Sequence, residues 1–357
     1  MNSLFIRTLL TYVAALLGGF ACWRLGLPLP WMVGPVVTTA ALSVAGLPVA
    51  ASVWARSLGM ITVGSALGLY FTPEALQKVA DNMVWILAAI LATVLISCLA
   101  SLMLARTARM DRATAFLCSV PGGVAEMCML AQRYGAAPAP IAVSQLLRVV
   151  SLVALLPAAL LIAGVEPPAR PVSASLAGIP GLLALLCASA AVTVGCAHAG
   201  MVNAWLLIPL AVGMTASLSG LHTALPPSPL ISAAQVLIGT QLGTAFRRKD
   251  VMAVRQAIAP IVLNVMTITA GCAMVAYLIA CASGNGIATL VLATSPGGVT
   301  EMSLTAKSMG LDVPLVVGFH VLRVFIILLA TPWIFTMLRR LGLIRLPAQA
   351  GVAVPRS

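Results

Sequence analysis

Residues 119–135 read SVPGGVAEMCMLAQRYG, and residues 294–310 read TSPGGVTEMSLTAKSMG. Both obey one pattern: P-G-G-V-x-E-M-x3-A-x3-G, then eleven residues, then L-R-V. Pro121, Gly122, Gly123, Val124, Glu126 and Met127 therefore correspond to Pro296, Gly297, Gly298, Val299, Glu301 and Met302, and Arg148 corresponds to Arg323, at a constant offset of 175. Upstream, Gly64, Leu67, Gly68 and Phe71 match Gly239, Leu242, Gly243 and Phe246 at the same offset. Trp31, Pro35, Ser43, Gly46 and Leu47 match Trp205, Pro209, Ser217, Gly220 and Leu221 at 174. Apolar segments can agree on Leu and Ala by chance, but Pro, Gly, Glu and Arg held in register mark a duplicated unit. The halves are expected at 1–170 and 171–357.

Only 8% of the 357 residues are charged and 61% are hydrophobic. A soluble domain carries roughly 25% charged residues, so most of this chain's exterior must meet lipid. Each half reads as six apolar segments: 4–22, 30–46, 54–72, 82–105, 112–134 and 140–164, then 175–198, 203–220, 229–246, 252–281, 287–309 and 313–338. The first reads as a transmembrane helix, because no small-residue cleavage site and polar mature domain follow it. The expected class is an all-α polytopic membrane protein.

The fifth segment of each half carries the PGG. Proline lacks a donor and two glycines are poor helix formers, so a helix should stop there. About ten apolar residues on each side of the break rise roughly 15 Å, half of a roughly 30 Å hydrocarbon core. The break should lie near the membrane centre, whether the segment crosses or turns back. Charge separates those alternatives. If the PGG segments turn back, each half has five crossings, the halves are inverted, and with the N-terminus inside 14 of 20 basic residues lie on the inner side and 4 on the outer. If every segment crosses, the halves are parallel and the split is 10 against 8. The positive-inside bias favours inversion. A second inverted arrangement, with PGG segments crossing as broken helices and another segment not crossing, stays open.

Inverted repeats with interrupted helices are the recurring build of secondary transporters. Freed backbone groups cannot face lipid, so a break must be buried or line a watery cavity. The N-terminus of the second half-helix then offers donors and partial positive charge. Gly122, Gly123, Gly297 and Gly298 are the expected substrate-binding backbone. Glu126 and Glu301 fall in the first helical turn beyond the break. They read either as dipole-complementing carboxylates or as ion- or proton-coupling groups, since carboxylates within membranes are costly and usually functional. Arg148 and Arg323 lie too deep to snorkel easily and need a glutamate, backbone carbonyls or an anionic substrate. His320, one turn from Arg323, and its counterpart Gln145 join the candidate substrate site. His320 reads as a hydrogen-bonded core histidine or as a pH-sensitive group. Gln235, Thr240, Gln241 and Asn264 are further candidates for a polar lining, and Met127 and Met302 are expected to pack.

The doubled P-G-G-V-x-E-M with its L-R-V resembles the membrane AbrB duplication family, over nearly the whole chain. That resemblance implies a tandem-duplicated membrane protein, distantly similar to secondary transporters with broken or re-entrant helices. Family members carry regulator or ammonia monooxygenase names. The residues favour neither chemistry. Only His198, His222 and His320 occur, scattered along the chain, whereas a metal oxygenase needs clustered ligands. The net charge of +12 sits at helix ends, with no basic groove or recognition module for nucleic acid. Eight cysteines form no CxxC pair, which argues against a metal cluster or disulfide framework.

The leading expectation is a non-enzymatic secondary transporter of a small solute, an organic anion. It would sit in the bacterial inner membrane with both termini cytoplasmic and couple to Na+ or H+. No cofactor is expected. The partners are the lipid bilayer and the solute, with a homodimer expected by analogy alone. A membrane-embedded sensor or regulator acting through a partner is the alternative, and an oxygenase is disfavoured.

Overall fold

A computed structural model describes residues 2–165, 178–201, 203–221 and 224–340. Every described element is a helix. The first half contains α1 (Asn2–Arg24), α2 (Pro30–Ala45), α3 (Val53–Gly68), α4 (Pro73–Asp81), α5 (Met83–Thr107), α6 (Arg112–Ser119), α7 (Val124–Tyr134) and α8 (Pro138–Ile162). The second contains α9 (Ile179–His198), α10 (Ala204–Leu218), α11 (Ser228–Thr244), α12 (Arg248–Ala253), α13 (Ile258–Ser283), α14 (Ile287–Thr294), α15 (Val299–Ser308) and α16 (Val313–Arg340), with a 3-10 turn, Arg255–Ala257, after α12. Helices α6 and α14 begin and end 175 residues apart, and α2 and α10 begin 174 apart, as the sequence offsets require. The expected division at 170/171 lies outside the described residues.

Six helices, α1, α5, α8, α9, α13 and α16, are long and apolar enough to cross a membrane. Their outward faces are apolar: Val84, Leu91, Leu155, Leu183, Met274 and Leu329 are all exposed. A chain with such a surface is a multi-pass membrane protein in the making, since a water-facing exterior rarely holds large contiguous apolar patches. Helices α2, α3, α10 and α11 are shorter, at 15 to 17 residues.

Two short helices were not anticipated from the sequence. The third apolar segment extends to 72 in the sequence and the tenth begins at 252, but α3 ends at Gly68, and α4 and α12 follow the third helix of each half. Local chemistry makes α4: Thr72 caps it by accepting from Ala75 N, Pro73 occupies the first turn, and Glu74 complements the dipole. Its polar face hides it from a search for long apolar runs.

Glycines let the short helices approach closely. A Cβ on Gly64 or Gly68 of α3 would strike the carbonyl oxygen of Leu206 or Leu210 on α10, and a Cβ on Gly239 or Gly243 of α11 would strike that of Met32 or Val36 on α2. These are the glycines that recur between the halves, and small residues at helix crossings are what packing in lipid selects. In both pairs the contact numbers rise together, so α3 runs parallel to α10 and α2 parallel to α11.

Helices α5 and α13 run antiparallel. Asn285 Nδ2, just past α13, donates to Asn82 Oδ1, just before α5, at 2.7 Å. Farther along, Thr93 Oγ1 meets Cys272 Sγ at 3.7 Å, and Ile96 packs on Gly271. The half-helices pack beside this pair, α6 on α5 and α14 on α13.

Candidate functional site

Each PGG stops a helix as its chemistry demands. In the first half α6 ends at Ser119, Val120 is extended, and α7 restarts at Val124 with Gly123 as N-cap. In the second, α14 ends at Thr294 and α15 restarts at Val299 with Gly298 as N-cap. The N-caps are extended, with φ −71° and −80°, so their glycines are not required by handedness. They are required by space. Glu126 Oε2 lies where a Cβ on Gly123 would stand, and Glu301 Oε2 does the same at Gly298. Each carboxylate curls back over the start of its own half-helix, toward the unpaired N–H groups there. Met127 and Met302, both buried, cover Gly122 and Gly297 in the same manner.

The long helix after each hairpin supplies the missing donors. Pro121 has no N–H to offer Leu117 O, its i−4 carbonyl. Gln145 Nε2 makes that bond instead, at 2.9 Å, and also reaches Val120 O at 3.0 Å. Ser144 Oγ donates to Cys118 O at 3.0 Å. Arg148 donates through its two terminal nitrogens to Val120 O (3.3 Å) and Gly122 O (3.1 Å). The second half repeats the scheme 175 residues on. Pro296 leaves Leu292 O open, and His320 Nε2 bonds it at 2.9 Å. Arg323 donates to Ser295 O and Gly297 O.

The arginines therefore satisfy backbone carbonyls, one of the three partners the sequence left open. No Glu–Arg lock forms at either break: among the described residues the ion pair is Lys78–Asp312, at 2.5 Å, joining α4 to the start of α16.

Other candidates scatter. Asn264 on α13 reaches the first break, with Nδ2 donating to Ser119 Oγ at 3.1 Å. Thr240 turns its hydroxyl onto Val236 O of its own helix. Gln235 and Gln241 sit on α11, whose main packing is on α2 and α3. His198 bonds Val194 O within α9, and His222 lies outside the described residues. Ser144 and Ser119 are not among the candidates that the sequence singles out. Ser144 had one signal, its place beside Gln145, but its counterpart Phe319 carries no hydroxyl. A cleft of about 690 Å³ opens elsewhere, at the corner of α2, α11 and α12 beside Arg247, Arg248 and Lys249, and contains no PGG residue.

Comparison with known proteins bears on most of the chain. A family model described as "Transition state regulatory protein AbrB" matches residues 31–339. The Escherichia coli (strain K12) protein named "Putative regulator AbrB" is 28% identical over 313 residues, covering 86% of this chain and 89% of that protein. The Bacillus subtilis (strain 168) "Uncharacterized protein YhjN" is 24% identical over 350 residues, 91% of each. No solved structure matches.

Proposed function

The chain belongs to the AbrB family, and on that footing we propose that it is a secondary transporter moving a small organic anion by alternating access between inverted halves. The observation that carries this is the paired break: two helices interrupted at PGG, each with a carboxylate on the restarting turn and an arginine from the following helix bonded to carbonyls of the break. Such interruptions persist in a membrane only where the freed groups are buried in protein or line a watery cavity, and paired interruptions of this kind recur in secondary transporters.

Inversion is supported by direction. Two equivalent helices, α5 and α13, run antiparallel, whereas parallel halves would align them. A re-entrant PGG segment is supported by Ala137 N, which donates to Thr114 Oγ1 at 3.0 Å. The start of α8 thus lies beside the start of α6, so α7 returns the chain to the side from which α6 left. Five crossings per half then put both termini on one side, the cytoplasmic side of a bacterial inner membrane by the positive-inside bias. Glu126 and Glu301 are the groups we assign to H+ or Na+ coupling. The test is uptake into proteoliposomes under imposed pH and sodium gradients. Glu126→Gln with Glu301→Gln should abolish the ion dependence; unchanged ion dependence would remove the coupling role.

The name of the E. coli relative supplies a competing reading, a membrane regulator that binds a ligand and acts through a partner. Vectorial uptake separates the two, because a regulator binds without moving solute.

A further inference from the structure

Six buried side-chain atoms among the described residues have no hydrogen-bond partner: Gln145 Oε1, Arg148 Nε, Gln241 Oε1, Asn264 Oδ1, Ser303 Oγ and His320 Nδ1. All but Gln241 belong to the breaks. Gln145 and Arg148 brace the first, Asn264 bonds Ser119 at its edge, Ser303 follows Glu301 on α15, and His320 braces the second. Buried polar groups are almost always paired, so orphans gathered in one region mark a place that something polar fills.

Charge narrows what that is. Arg148 and Arg323 are 3% and 5% exposed, and among the described residues neither has a carboxylate partner. Helix α13 touches both breaks, since Asn264 Nδ2 donates to Ser119 Oγ at 3.1 Å and Cys272 O accepts from Thr294 Oγ1 at 3.0 Å, so the two breaks lie along one helix. Each guanidinium is held by two backbone carbonyls but has no counter-charge among the described residues, a setting that favours an anion as the remaining partner. The half-helix N-termini are already covered by Glu126 and Glu301, which leaves the arginines as the place for its charge.

The orphans also set its hydrogen-bonding character. Leu292 O can only accept, so His320 Nε2 carries the ring proton and Nδ1 of the neutral ring is an acceptor. Gln145 Oε1 and Asn264 Oδ1 are acceptors too. A plain carboxylate would answer Arg148 Nε and leave these unpaired. An amine would answer them and meet two positive charges.

Resting on the transporter reading above, we propose that the region between the two breaks binds a small hydroxycarboxylate, whose carboxylate accepts from Arg148 Nε and whose hydroxyl donates to Gln145 Oε1 or His320 Nδ1. The purified full chain is titrated with lactate and malate, their deoxy counterparts propionate and succinate, and ethanolamine, with affinity read from calorimetry and thermal shift. A hydroxy acid binding at least about tenfold more tightly than its deoxy counterpart supports the assignment, since a site built for a hydroxyl rejects the analogue lacking it. Equal binding within each pair, preference for ethanolamine, or no carboxylate binding overturns it. The wild-type comparison needs no variant. Arg148→Lys, which keeps the charge and loses Nε, should weaken lactate or malate about tenfold if it folds. Uptake into proteoliposomes separates the two levels. Selective hydroxy-acid binding without vectorial uptake keeps this site and removes the transporter. Ion-coupled uptake of another solute with no carboxylate binding removes this site and keeps the transporter.

Discussion

The two breaks share a motif and a bracing scheme but not an environment. Along α15, Val299, Thr300, Met302, Ser303, Leu304, Thr305 and Ala306 are all buried, and Thr300 Oγ1 contacts Met60 Sδ of α3 at 3.7 Å. Along α7, Gly123, Met129, Gln132 and Arg133 are exposed. The second break is sealed against the other half and the first is open along one side. On the proposed transporter reading, the two copies are expected to sit in unlike surroundings in any one state, because one repeat moves against the other around the site.

The largest expected effect in breaking this comparison comes from the arginines. Arg323→Ala leaves Ser295 O and Gly297 O without a donor in a sealed site and should cost roughly 4 kcal/mol, because each bond to a charged group contributes about 1.5–3 kcal/mol. Arg148→Ala should cost less, since its bond to Gly122 O is only part-buried whereas both Arg323 bonds are buried. Denaturant unfolding in detergent measures both, and equal losses would mean that the breaks are equally sealed.

Adding a methyl group at the N-caps asks the same question sterically. Gly298→Ala must displace the Glu301 carboxylate from a packed seat, at about 2 kcal/mol. Gly123→Ala displaces Glu126 toward an exposed edge and should cost less than about 1 kcal/mol. A reversal of that order would contradict the assignment of open and sealed breaks.

Thiol labelling reads accessibility directly. Cys128 and Ser303 are equivalent positions, the first half-buried and the second 0% exposed. With the other cysteines replaced, Cys128 should react at least about tenfold faster than a cysteine introduced by Ser303→Cys, because modification follows exposure. If substrate exchanges the two states, adding it should narrow the ratio.

The smallest effect tests the proline compensation. His320→Gln copies the first half's donor onto Leu292 O and should change stability by less than about 1 kcal/mol. His320→Leu removes the donor and should cost more. Equal behaviour of the two variants would show that the carbonyl opposite Pro296 needs no partner.

Much of this was legible without coordinates, for a physical reason. Helix termination at Pro121 and Pro296 is local: a missing N–H and two flexible residues suffice. The duplication is an identity of spacing, and the apolar helices are a matter of length and composition. The short helix α4 is local as well, but its signal, a Thr cap and a proline, is small beside the long apolar runs that dominate the chain. What tertiary structure alone decided was where each polar group goes. The sequence placed Arg148 and Arg323 deep in helices and left three partners open, because a partner is chosen by distance in space and not by position in the chain. The same holds for Gln145 and His320, unlike residues doing one task opposite equivalent prolines. It holds for the burial that makes one break a sealed seat and the other an open edge, since burial is set by whichever distant helix, here α3, packs across it.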